Sequence, residues 1–158
     1  MTIVGRPAPP LRGVRWIDAA GRDSAALSLD DLGAGYRILY FFQHWCQGCH
    51  VHGFPTLVRL VAALAGTNAG FAAIQTVFEG HDVNIFESIR DDQQRYALAI
   101  PFGHAVPERG RPVPALMEDY RTGGTPWFVV IAPGGEVMFD GFQLDPEALV
   151  RAVMPPAA

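Results

Sequence analysis

The run Ile38-Leu39-Tyr40-Phe41-Phe42-Gln43-His44-Trp45-Cys46-Gln47-Gly48-Cys49 limits what this chain can fold into more than any other stretch. Ile38 to Phe42 is unbroken apolar sequence, the pattern of a strand buried on both faces. It leads directly into two cysteines three apart, and a helical pattern follows at once. Cys46 and Cys49 are the only cysteines in the chain. Two thiols at this spacing on the first turn of a helix can close a small disulfide ring and reopen it. The helix start supplies unpaired N–H groups and the positive end of the dipole, both of which favour thiolate. Thiolate is the nucleophile in disulfide exchange, so the spacing points to a dithiol redox site.

The remaining elements can be read in order. Val14 to Ile17 and the stretch after Gly21 predict a hairpin. Ser28, with Asp30 and Asp31 behind it, predicts a capped helical turn ended by Gly33 and Gly35. After the cysteines, Val51, Phe54, Leu57, Val58, Val61, Leu64 and Ala65 recur at three- and four-residue steps, predicting one buried helix face to about Gly66, kinked by Pro55. Residues 70–78 predict a second buried strand. Asn84 to Leu98 predicts a helix with Phe86, Ile89, Tyr96 and Ala97 on one face and Asp91-Asp92 exposed. A Pro/Gly-rich loop over 101–114 holds a short strand around Phe102, and Ala115 to Tyr120 predicts one or two helical turns. Thr125-Pro126 opens another strand to Ile131, Ala132-Pro133-Gly134-Gly135 turns it back, and Asp145-Pro146 starts a C-terminal helix. Strand–helix–strand–helix, then hairpin and helix, predicts an α/β fold with a mixed sheet between helices.

The 158 residues, 49% hydrophobic and 18% charged, suit one globular domain, 1–158. A formal net charge of -4 gives no electrostatic reason to expect a nucleic-acid partner. No apolar run approaches the roughly 18 residues of a membrane span, and Met1-Thr2-Ile3-Val4-Gly5-Arg6-Pro7 lacks the apolar core of a signal peptide. The expected location is cytoplasmic if Met1 is the native start, and periplasmic if an export signal has been removed. In the cytoplasm a lone cysteine pair is catalytic more often than structural.

From Gly5-Arg6-Pro7-Ala8-Pro9 to Val153 the chain resembles the thioredoxin-like superfamily, and within it the redoxin/TlpA-like branch. Three features in order carry the resemblance: Trp45-Cys46-Gln47-Gly48-Cys49 at a strand end, Gly123-Gly124-Thr125-Pro126 before a buried strand, and the Pro133-Gly134-Gly135 hairpin. The N-terminal extension and the extra helix around 86–98, inserted before the proline strand, point to the TlpA-like branch. The resemblance implies a thiol–disulfide oxidoreductase in which Cys46 attacks and Cys49 resolves. Pro126 would be a cis-proline facing the pair and would present the Thr125 backbone to an extended substrate. Trp45, Gln47, Gly48, Gly124, Gly141 and Phe142 would border the substrate groove. The only cofactor implied is the Cys46–Cys49 disulfide itself. The implied partners are a disulfide-containing protein or small thiol and a thiol reductant system, with no nucleic acid and no membrane.

The departures from the family pattern fall at the site. The acid that many thioredoxins carry six residues before the first cysteine is Tyr40 here. His50 and His52 follow Cys49 where TlpA-like proteins often have glutamate, and one extra residue precedes Pro55. Either histidine is a candidate for proton transfer, since imidazole titrates near neutrality. Cys46-Gln47-Gly48-Cys49-His50 also spells the haem-attachment pattern, which the strand–helix setting disfavours. His44, Cys46, Cys49, His50 and His52 are a possible zinc or copper ligand set, a metal-handling alternative. A peroxiredoxin-like antioxidant role is a further alternative. Leu39 and Gln43, however, stand where peroxiredoxins carry Pro and Thr or Ser.

Overall fold

The computed structural model describes residues 2–154. Its core is a seven-stranded mixed sheet in the order β2-β1-β5-β4-β3-β6-β7. The strands are β1 Val14–Ile17, β2 Asp23–Ser24, β3 Arg37–Phe42, β4 Gly70–Thr76, β5 Phe102–Ala105, β6 Trp127–Ile131 and β7 Val137–Gly141. β3, β4 and β5 run parallel, and β6 lies antiparallel to β3 on its other side. Every residue of β3 is buried, as its apolar run requires. The alternation of the strand divides them between two cores. Ile38, Tyr40 and Phe42 face one core, where Phe54, Leu57 and Leu60 of α1 (Phe54–Ala63), Phe86 and Ile89 of α2 (Phe86–Arg95) and Leu149 of α4 (Pro146–Val153) pack. Leu39 and Phe41 face the other, with Leu116 and Tyr120 of α3 (Ala115–Tyr120) and with Ile3, Leu11 and Leu32 from the N-terminal segment. Helices therefore cover both faces.

Local signals set the element ends. Ser28 caps a 3-10 turn, Leu29–Leu32, in a reciprocal box with Asp31. The Asp145 carboxylate accepts from the N–H groups of Glu147 and Ala148 at the start of α4, with Pro146 at the first helical position.

The helix after the cysteines departs from the periodic reading. Gln47 begins it, but Cys49–Gly53 winds as a π turn before α1 takes over at Phe54. The Phe54 N–H reaches back five residues to the Cys49 carbonyl. This turn takes up the extra residue ahead of Pro55, which stands in the first turn of α1. The added residue also shifts the helical phase. Val51 is 56% exposed and Ala65 is exposed, although both fit the predicted buried face, while Leu60 is buried. α1 ends at Ala63, short of Gly66. α2 likewise ends at Arg95, leaving Tyr96 and Ala97 beyond it. Asp92, predicted exposed, is fully buried.

Candidate active site

β3 ends at Phe42, and the next four residues form a tight turn in which the Cys46 N–H donates to the Gln43 carbonyl at 3.0 Å. Buried amides clamp this turn. Gln43 Oε1 accepts from the backbone N–H groups of Phe78 and Glu79, and Asn84 Oδ1 accepts from the Trp45 N–H at 3.0 Å. Gln75 Oε1, from the neighbouring strand β4, accepts from the His44 N–H at 2.7 Å. The cysteine loop is thus fastened to β4 and to the loop after it at four backbone donors. Such fully buried amides are retained when their hydrogen bonds are satisfied.

Cys46 is half-buried, and Cys49, one turn further in, is fully buried. The two sulfurs hold different environments. The Cys49 backbone N–H donates to Cys46 Sγ at 3.3 Å, and the Thr125 carbonyl lies 3.7 Å from the same sulfur. The Cys49 thiol also donates to Cys46, lowering its pKa to about 6 against the opposing effect of burial, with the His50 ring adding to the drop. Burial pushes the Cys49 thiol well above its ordinary range, and the negative Cys46 beside it acts in the same direction. At neutral pH this makes Cys46 the thiolate and Cys49 the thiol.

The Thr125–Pro126 peptide bond is cis. A Cβ on Gly48 would lie 3.5 Å from Pro126 Cδ, so the proline ring rests against the backbone between the two cysteines. The Thr125 hydroxyl accepts from Gln43 Nε2 at 3.4 Å, which ties the proline loop to the end of β3. Gly124 stands at φ 142, where a side chain is strained, and beside it Phe142 packs on Gly123 and edge-on to Trp127 at 4.8 Å. Phe142 is 50% exposed, and Gln47 is exposed. Trp45, 51% exposed, packs instead over Gly80, so it belongs to the loop after β4 and not to the Phe142 surface. Next to the π turn lies a cleft of about 410 Å³, lined by Val51, His52, Arg59, Phe128 and Phe142 among others.

Several solved structures share this fold. A thioredoxin-like superfamily protein matches with a TM-score of 0.80 at 26% identity, over 96% of this chain and 98% of its own. A thiol-disulfide isomerase from Corynebacterium glutamicum matches with a TM-score of 0.78 at 24% identity, over 95% and 98%. The thioredoxin domain of a thiol-disulfide oxidoreductase from Bacteroides vulgatus matches at 0.74 and 17%, over 97% and 99%. No protein-family model matches the chain, and no curated protein matches it in sequence. The chain belongs to the thioredoxin-like superfamily.

Within this thioredoxin-like frame the two candidate proton-transfer histidines separate. His52 is exposed and lines the cleft. His50 is half-buried, its Nε2 2.6 Å from the His44 carbonyl and its Nδ1 2.6 Å from the Tyr96 hydroxyl, with its ring stacked on Phe54. Tyr40, in the place of the usual acid, donates its hydroxyl to the Cys49 carbonyl at 2.8 Å. That hydroxyl fits only because residue 53 is glycine: a Cβ there would lie 2.1 Å from it.

Sequence reasoning did not single out Asp92, Tyr96, Gln75 or Asn84 as site residues. Asp92 binds His44 Nδ1 at 2.9 Å from α2, the inserted helix. The available signal was polar residues at buried helical and strand phases, but their partners lie tens of residues away in the chain.

Proposed function

We propose that this protein is a thiol–disulfide oxidoreductase of the TlpA-like branch, with Cys46 as nucleophile and Cys49 as resolving thiol. The asymmetry of the pair carries this reading: one sulfur is half-exposed, held by a backbone N–H and poised as thiolate, and the other is buried one turn deeper. Cys46 thiolate attacks one sulfur of a substrate disulfide. The substrate S–S bond breaks, one substrate sulfur leaves as thiolate, and a mixed disulfide forms through Cys46. Cys49 then loses its proton and attacks Cys46 Sγ, releasing the second substrate sulfur and closing the Cys46–Cys49 disulfide. The substrate has gained two electrons, and a thiol reductant returns the pair to the dithiol.

The Thr125 backbone beside Cys46, exposed Gln47 and the Phe142 surface support docking of an extended disulfide-bearing segment across the proline loop. A dithiol form stabilised through Cys46 thiolate favours a more oxidising couple than an unperturbed pair. The expected reduction potential, measured against glutathione with a chelator present, is less negative than about -270 mV. Turnover of a disulfide-bonded protein substrate by dithiothreitol tests the function. Wild-type protein accelerates it, and Cys46→Ser abolishes the acceleration. If Cys46→Ser retained wild-type turnover, the reading would fail.

A further inference from the structure

His44, His50 and Asp92 meet behind the cysteine loop, each offering one ligand atom, and these atoms lie within 4.8 Å of one another. The three come from three places in the fold: the turn after β3, the π turn and α2. His44 and His50 flank the cysteine pair, and Asp92 projects from α2. We propose that these residues form a binding site for a divalent transition-metal ion of the zinc or cobalt type, with neither cysteine sulfur among its ligands.

Donor chemistry supports the site. Two imidazoles and one carboxylate are a recurrent set for such ions. The hydrogen bonds settle which nitrogen of a neutral His50 carries the lone pair. Its Nε2 lies 2.6 Å from the His44 carbonyl, which only accepts, so Nε2 carries the proton and Nδ1 of the neutral ring holds the lone pair. A ligating histidine that donates its other N–H to a backbone carbonyl is the usual outer support of a metal site. Stacking on Phe54 and Tyr96 fixes the ring further.

Asp92 supplies the second line of evidence. Its side chain is fully buried, one oxygen accepts from His44 at 2.9 Å, and the other has no hydrogen-bond partner among the described residues. A buried carboxylate oxygen without a partner is costly, and a cation held by both Asp92 oxygens would satisfy it. Bound metal takes the place of the proton between His44 Nδ1 and Asp92 and draws His50 Nδ1 away from the Tyr96 hydroxyl, now 2.6 Å from it. Ligand atoms about 2.0–2.1 Å from a tetrahedral ion stand about 3.3 Å apart, so the His44–Asp92 pair opens slightly from 2.9 Å while the longer separations in the cluster, up to 4.8 Å, shorten.

The test uses full-length protein with Cys46→Ser and Cys49→Ser, so that no thiolate contributes. Titration with Co²⁺ followed by its visible absorption should show one saturable ion per chain, with no sulfur charge-transfer band and with displacement by Zn²⁺. His44→Ala and Asp92→Asn should each weaken binding at least about tenfold, and His52→Ala, outside the cluster, should leave it unchanged. Circular dichroism checks that each variant is folded. His44 is partly exposed, so His44→Ala keeps the test decisive even where Asp92→Asn unfolds. No saturable binding, or binding that survives His44→Ala, or binding lost equally in His52→Ala, would overturn the proposal.

Discussion

At the level of single residues, two sulfurs three positions apart meet different fates. Cys46, lowered to about 6, is mostly thiolate at pH 7, and its reactivity falls as acid returns the proton. Alkylation by iodoacetamide with a chelator present should therefore report a midpoint near pH 6 for Cys46. Cys49 should stay unmodified in the folded protein across the same range. Tyr40 and Gly53 belong to this scale too, because the tyrosine hydroxyl occupies the space a side chain at 53 would need. Tyr40→Phe removes a buried hydrogen bond to the Cys49 carbonyl and should cost about 1 kcal/mol of stability. Gly53→Ala forces a Cβ against the same ring and should cost about 1–3 kcal/mol. Urea unfolding of the reduced protein measures both. An unchanged midpoint in Gly53→Ala would mean that the packing of Tyr40 on the π turn is misread.

At the scale of elements, the helix that begins at Gln47 and the inserted helix α2 divide the work. The first presents the cysteines, and the second brings Asp92 to the histidines flanking them. Strands and caps were legible in the sequence because their signals are local. An apolar run marks β3, Ser28 with Asp31 marks a cap, and Asp145-Pro146 marks the start of α4. Removing that last cap with Asp145→Ala should cost about 1 kcal/mol, read as a lower urea midpoint. The π turn was not legible. The extra residue before Pro55 was visible, but whether it would bulge, kink or unwind the helix depends on Tyr40 reaching under it from another element. Asp92 was misread for a similar reason. Beside Asp91 it looks like half of a solvated acidic pair, and only a histidine 48 positions away accounts for its burial. The cysteine pair and proline segment were legible as motifs, whereas the amides that hold them were not, since a buried glutamine and a surface one read alike.

For the molecule as a whole, buried polar links join His104 on β5 through Gln75 on β4 to the cysteine loop. Because the His44 N–H must donate to Gln75 Oε1, the Gln75 amide nitrogen faces His104 Nδ1 at 3.0 Å. That nitrogen of His104 is thus an acceptor and the ring is neutral. Burial lowers its pKa to about 4. Between that value and about 6.5, the unfolded chain binds a proton that the folded chain does not, so stability falls as pH drops through this window. The expected outcome is a lower thermal midpoint at pH 4.5 than at pH 7, with a flatter profile in His104→Gln. An identical pH profile in the two proteins would remove His104 from this role.

The central claim is that Cys46 meets the substrate and Cys49 releases it. Mass spectrometry of trapped mixed disulfides tests this most directly, with the Cys49→Ala and Cys46→Ala variants each exposed to the same disulfide-bonded substrate. The expected result is a stable adduct through Cys46 in Cys49→Ala and essentially none in Cys46→Ala. Equal trapping by Cys49 in Cys46→Ala would contradict it.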